Sequence, residues 1–392
     1  MYQYQSEARY FAQIPDGAEE VATRELEALG AREVKPGYRG LYFGADAASL
    51  YAVVYRALIL TRVLAPIARF QCHSADYLYK RAQDVRWRDF ISPQGTFAVF
   101  ANVSNSAIRH SQYAALRVKD AIVDQFRAET GTRPNVDTTE PDLWINLYLH
   151  ANKATLAIDA SGGSMHRRGY RVESVEAPMQ ETVAAAMLAM TEWDGSTPLV
   201  DPMCGSGTML CEALMRYCRV PAGYRRARFG FERLPDFDRE AWRRVKQEAD
   251  DAIRKLPPGL IRGSDAASEA VRAARRNLAQ LPGGKDVVVE HRRFELIDRI
   301  ESAAIVTNPP YGMRIGRRDA MPEFIRSFGD FLKQRCAGST AFVYFGDREL
   351  LKSLGLRPAW RKPLANGGLD GRVVRVDLFA GEGSSVARSS PS

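Results

Sequence analysis

The chain has 392 residues, of which 45% are hydrophobic and 26% charged, with a formal net charge of +8. Its length exceeds one ordinary core and implies two or three domains. The composition excludes collagenous and low-complexity classes, and the modest basic excess leans toward a polyanionic partner without naming one.

Residues 1–7 carry neither the basic nor the apolar stretch of a secretory signal, so a cytoplasmic protein is expected. Arg9–Gln13 reads as a strand, 18–29 as a helix, Gly40–Gly44 as a strand and about 46–60 as a helix. The most apolar window, 50–68, is interrupted by Arg56, Arg62 and Pro66. It reads as an amphipathic helix on a core, with no membrane span expected. A strand over 96–102, a helix over 113–129 and paired strands over 142–149 and 154–159 follow. The glycine- and charge-rich segment 162–170 reads as an interdomain hinge.

From about residue 180 the pattern becomes alternating helix and short apolar run. Helices are predicted over 181–190, 208–217, 267–280 and 324–335. Strands are predicted over 198–200, 260–264, 287–290, 303–307, Thr340–Phe345 and 373–379. Strands separated by such helices imply α/β architecture, a parallel sheet with helices on both faces. A helix-rich stretch over 219–258 interrupts that alternation, and the Gly/Ser-rich end, 381–392, is expected to be disordered. The five cysteines include no C-x-x-C pair. Cys204, Cys211 and Cys218 recur every seven residues like one helical stripe, so buried thiols are expected and no metal site.

Two loops carry the chemistry. Asp201-Pro202-Met203-Cys204-Gly205-Ser206-Gly207-Thr208 joins the first strand of the later sheet to its helix. Gly205 and Gly207 allow close backbone approach, and ligands of open α/β sheets bind at this carboxyl edge. A dinucleotide loop would carry a third glycine and tolerate pyrophosphate. Here Asp201 would repel phosphate and attract an amino group, which suits S-adenosylmethionine. Asp265 ends the next strand, placed for a ribose diol. The second loop, Asn308-Pro309-Pro310-Tyr311, follows a buried strand. The Asn308 amide oxygen and a proline-flanked carbonyl accept hydrogen bonds from a planar NH2 group. Neither proline presents a competing N–H, and Tyr311 offers a ring for base stacking. A Pro-Pro-Tyr alone also reads as a stiffened loop. Arginine pairs at Arg167 and Arg168, Arg225 and Arg226, and Arg317 and Arg318 offer charge for a polyanion or form solvated faces.

With these motifs together, the chain resembles class I S-adenosylmethionine-dependent methyltransferases that modify amino nitrogens. Asp201 to Thr208 matches their first motif, Asp265 the second and Asn308 to Tyr311 the fourth. The front half, through Ser111-Gln112-Tyr113, Lys119 to Ile122, Arg133-Pro134 and His166 to Arg171, is similar to THUMP-containing bacterial 23S rRNA guanine-N2 methyltransferases. Ala177-Pro178, Glu181-Thr182 and Asn366-Gly367 with Leu369 also match. The resemblance implies a ferredoxin-like region over 1–50, a THUMP RNA-binding domain over 51–160 and a Rossmann-like catalytic domain over 161–380. It further implies catalytic residues Asn308, Pro309, Pro310 and Tyr311. Cofactor contacts would come from Asp201, Pro202, Gly205, Ser206, Gly207, Thr208, Asp265 and Thr182. RNA, as 23S rRNA or its assembly intermediate, would meet the THUMP region and the arginine pairs. The third-motif position reads His291-Arg292-Arg293-Phe294 and yields no adenine-binding residue. An adenine-N6 DNA methyltransferase fits the amide-proline motif equally, and a non-catalytic RNA-binding or assembly factor remains an alternative.

Overall fold

The structure, a computed structural model, describes residues 1–174, 178–310 and 319–379. Two compact units emerge. The first comprises 1–171, 181–186 and 218–254, and the second 172–180, 187–217 and 255–392. The expectations placed on Ala177, Tyr311, Arg317, Arg318 and the 381–392 tail fall outside the described residues.

The first unit is built on one eight-stranded sheet. Its strands are β1 (Arg9–Gln13), β2 (Arg32–Gly37), β3 (Gly40–Gly44), β4 (Arg62–Gln71), β5 (Thr96–Ser104), β6 (Asn135–Val136), β7 (Leu143–His150) and β8 (Lys153–Asp159). The spatial order is β2-β3-β1-β4-β8-β7-β5-β6. β4 corrects the helical reading of the 50–68 window. The helix Ala47–Arg56 stops where Ala57 turns extended at ψ 128, and β4 follows as an interior strand. Pro66 is tolerated there because the register with β8 shifts between Pro66 and Ala68, so its missing N–H falls at an irregularity.

Residues 218–254, counted by sequence inside the later domain, pack into the first unit. Aromatic burial explains this. Tyr51 lies 4.6 Å from Phe231, and Tyr55 lies 5.2 Å from Trp242, ring centroid to centroid. Both phenols are used: Tyr55 donates to Asp250 at 2.6 Å, and the Asp238 N–H donates to the Tyr51 oxygen at 2.9 Å. The segment 162–170, read from sequence as an interdomain hinge, ends beside Arg171, where the first segment of the first unit ends. Met165, Arg168 and Tyr170 are buried, and the Arg168 guanidinium donates to the carbonyls of Met165 and Leu58.

The second unit holds the α/β sheet: β9 (Leu199–Asp201), β10 (Ile261–Asp265), β11 (Val288–His291), β12 (Ala304–Thr307), β13 (Thr340–Phe345), β14 (Trp360–Pro363) and β15 (Arg372–Asp377). The order is β11-β10-β9-β12-β13-β15-β14. Pairings from β11 through β13 are parallel, while β15 runs antiparallel to both β13 and β14. β9 sits where the order reverses, between β10 and β12, which is the switch point at which open α/β sheets bind ligands. The strands there are buried on both faces: all of Ala304–Thr307 and Leu199–Asp201 are buried.

Candidate active site

Asp201 closes β9 with a carboxylate that is 2% exposed. Its Oδ1 accepts from the Thr307 hydroxyl at 2.7 Å and from the Met203 N–H at 3.1 Å. Burial pushes its pKa up to about 7, despite those two hydrogen bonds, and the charge of Asp265 adds to the rise. Asp265 ends β10. Its Oδ2 accepts the Gly205 N–H at 2.9 Å and its Oδ1 accepts the Ala267 N–H at 2.9 Å. One acid therefore pins the glycine loop while holding the entry to the helix Ser268–Leu278.

The loop is tight for a steric reason. Gly207 has φ +81, and a Cβ there would lie 2.9 Å from the Ala274 Cβ. Its N–H donates to the Cys204 carbonyl at 2.8 Å, and the Cys204 N–H donates to the Ser264 carbonyl at 2.9 Å. Cys204 lies in this loop rather than on the helix Thr208–Cys218, which carries Cys211 and Cys218. All five cysteines are buried, and none forms a disulfide.

β12 delivers Asn308 to the same edge. The Asn308 Oδ1 is buried and has no hydrogen-bond partner among the described residues. Asn308, Pro309 and Pro310 line a cleft of about 1240 Å3 together with Asp201, Pro202, Gly205, Ser206, Thr208 and Asp265. That exceeds the roughly 300–1,000 Å3 of most small-molecule pockets, so it has room for more than one ligand. Gly207 belongs to the loop without lining the cleft, and Thr182 is fully buried and likewise not a lining residue.

Other lining residues were not picked out from the sequence. Phe294, 3% exposed, and Glu295 follow β11 and line the cleft beside Arg293. Partial burial raises the Glu295 pKa, but its bonds to Arg293 outweigh that and hold it below the usual range. Asn277, 1% exposed, is a second omission. Its Oδ1 accepts the N–H groups of Val172 and Glu173 at 2.9 and 3.0 Å, and its Nδ2 donates to the carbonyls of Glu173 and Ser206 at 2.8 and 2.9 Å. Arg276 adds an ion pair to Glu173. An asparagine inside an amphipathic helix gives no sign of such a clamp in sequence.

This donor set fits S-adenosylmethionine. Two acids converge on the glycine loop, where a diphosphate would meet carboxylates, and Arg276 and Arg293 at the rim are paired with Glu173 and Glu295. A cation without phosphate groups suits that field. Among the described residues no cluster of three or more His, Cys, Asp or Glu side chains is arranged to hold a metal, and no helix is long and apolar enough to cross a membrane.

The profile of the RMKL-like methyltransferase domain matches residues 168–375. The chain belongs to the RMKL-like methyltransferases. The profile of the THUMP domain matches 72–159, and that of the RlmL ferredoxin-like domain matches 9–64. The family resemblance and the fold class, a Rossmann-like methyltransferase domain preceded by ferredoxin-like and THUMP regions, are thereby borne out. S-adenosylmethionine is the methyl donor. The chain is 38% identical over 94% of its length to slr0064 of Synechocystis sp., provisionally named an RNA methyltransferase, and spans 97% of that protein. It is 37% identical over 94% of its length to the ribosomal RNA large subunit methyltransferase K/L of Syntrophotalea carbinolica, but spans only 53% of it. The crystal structure of SMU.472 with SAH superposes with a TM-score of 0.82 at 24% identity, covering 95% of this chain and 98% of that one; this likeness is of fold.

The arginine pairs fare unequally as candidate phosphate contacts. Arg167 and Arg225 are exposed. Arg168 is buried, and Arg226 donates to the Gly162 carbonyl at 3.1 Å.

Proposed function

We propose that the protein methylates the exocyclic N2 of a guanine in 23S rRNA. The observation that carries this reading is the buried, unpartnered Asn308 Oδ1 in a cleft whose other wall suits the methyl donor. Leaving a buried acceptor unpaired costs about 1–3 kcal/mol, which is tolerable where a ligand satisfies it. A guanine N2 is a weak nucleophile because its lone pair delocalises into the ring. Asn308 Oδ1 and the Pro309 carbonyl accept its two N–H bonds and turn the lone pair out of conjugation. Tyr311 is assigned the stacking role on sequence grounds. Bound S-adenosylmethionine supplies a sulfonium methyl that needs no further activation. The protein's contribution is alignment, which yields roughly 7–11 kcal/mol for well-oriented reactants.

The target base must leave its stack to enter the cleft. RNA phosphates meet exposed cations of the THUMP region and of Arg167 and Arg225, so affinity falls steeply with salt. The K/L relatives support rRNA as the substrate. Incubation with labelled donor and protein-free 23S rRNA, tRNA or DNA, followed by digestion to nucleosides, tests the reading. N2-methylguanosine from 23S rRNA is expected. N6-methyladenine from DNA would overturn it, and an absence of label in every substrate would point to a non-catalytic factor.

A further inference from the structure

β7 turns Leu143, Ile145, Leu147 and Leu149 inward, each no more than 1% exposed. Its period of two therefore sends Trp144, Asn146, Tyr148 and His150 to the opposite face, where Asn146 is buried. Register carries that second face across the sheet. Tyr148 opposes Thr155 of β8, which opposes Arg69 of β4, and His150 opposes Lys153. Further along, Phe11 of β1 opposes Tyr42 of β3. His150 is exposed and the other rings are only half-buried, unlike the leucines behind them.

Their contacts form two groups on this face. Phe11 and Tyr42 lie 4.9 Å apart, Tyr148 stacks on His150 at 6.3 Å and 20°, and the Arg69 guanidinium lies 5.8 Å from the Tyr42 ring. Tyr38, 70% exposed, sits at the tip between β2 and β3. It and Tyr42 are near enough to Tyr148 to add to burial in raising that phenol's pKa. A Cβ at Gly40 would come within 2.5 Å of the Phe11 ring, and one at Gly37 within 2.8 Å of the Tyr42 ring. The rings thus pack down on bare backbone and leave their outer sides to solvent. Arg69 and Lys153 are exposed and make no ion pair among the described residues. Asp159, an acid on this face, is buried against Arg62.

We propose that this face, centred on Tyr42 and Tyr148 with Arg69 and Lys153 beside them, is a stacking platform for unpaired RNA bases. The proposal rests on RNA being the substrate. Ring faces take base faces, and the two cations take the phosphates between them. A duplex hides its base faces within the stack, so the platform selects single-stranded segments.

The test is binding of a short fluorescent single-stranded RNA, and of the same sequence as a duplex, to the full-length protein. Tyr42→Ala and Tyr148→Ala should each weaken single-strand binding about 5- to 150-fold, the range for loss of one stacked base. Tyr42→Phe and Tyr148→Phe should retain it. The slope of log affinity against log salt should not change in the tyrosine variants. In Arg69→Ala and Lys153→Ala, whose side chains are exposed and whose folding is safe, it should shrink by about 0.7 each. Single-strand affinity unchanged in the alanine variants, or lost equally in the phenylalanine ones, overturns the platform, as does an unchanged salt slope in both cation variants. Wild-type protein that binds the oligonucleotide yet methylates no RNA sinks the functional reading instead. Unaltered KM for rRNA in Tyr42→Ala and Tyr148→Ala sinks the platform and leaves that reading standing.

Discussion

The Asn308 amide oxygen and the Asp201 carboxyl are both buried polar groups, and each carries an energetic cost that folding alone does not repay. Asn308→Ala removes an acceptor that has no partner among the described residues. Thermal stability should therefore hold or rise slightly, while single-turnover methylation falls about 100-fold or more, the scale seen for loss of one reaction-aligning hydrogen bond. Donor affinity should stay put; normal turnover by this variant would remove Asn308 from the reaction. Asp201 makes a pH prediction. Its usual pKa of 3.8 rises to about 7 in the fold, so between those values the folded state holds a proton that the unfolded chain has lost. The resulting contribution to stability is present at low pH and lost as pH rises through about 7. A bound cation favours the ionised carboxylate, so donor affinity moves the other way. It should strengthen about tenfold from pH 6 to pH 8, as expected for one group titrating near 7. Asp201→Asn should flatten that dependence in a titration of donor binding. A profile equally steep in wild type and variant would assign the pH effect elsewhere.

The helix Ser268–Leu278 shows what an element can hide. Its apolar residues announce a packed helix, and they face the sheet, but Asn277 does the joining. Four hydrogen bonds tie 172–173 to the carbonyl of Ser206 in the glycine loop. Asn277→Ala leaves those backbone groups unpaired, at roughly 1 kcal/mol net for each bond lost. The loop should then lose its preset geometry, and KM for the donor should rise at least about tenfold with kcat changed less. If the melting temperature drops while KM stays constant, Asn277 only supports the fold. The strands at the switch point were legible because they are short apolar runs between glycine and proline signals. β4 was not, since Arg62 and Pro66 interrupt its apolar run as they would a buried helix, and only the register shift beside Pro66 makes a strand possible. β14 was missed because a half-exposed edge strand alternates too weakly over Trp360–Pro363. In the site, Asp201 and Asp265 were legible because they end strands, and Asn308 because it follows one directly. Glu295 and Asn277 depend on tertiary placement, which no local pattern encodes.

At the scale of the whole chain, sequence order and packing diverge over 218–254. The alternation of strands and helices puts this stretch in the catalytic half, yet its rings pack with Tyr51 and Tyr55 in the first unit. Removal of residues 1–160 is therefore not a clean excision of an RNA-binding module. It would strip Phe229, Phe231 and Trp242, only 5%, 0% and 8% exposed, of their tyrosine partners. Asp250 and the Asp238 N–H would lose their phenol partners as well. The shortened chain should aggregate, or expose enough apolar surface to bind a hydrophobic dye, before any loss of RNA binding can be read from it. Trp242→Ala in the full-length chain isolates the same cluster. Truncating a buried tryptophan costs about 3–5 kcal/mol, which should lower the melting temperature by several degrees. Because this cluster lies outside the residues lining the cleft, donor affinity below the melting transition should stay unchanged. A 161–392 fragment that is soluble, binds no dye and takes up donor at full affinity would show that the stretch folds without its partners. It would return residues 218–254 to the catalytic half, where the order of the chain had placed them.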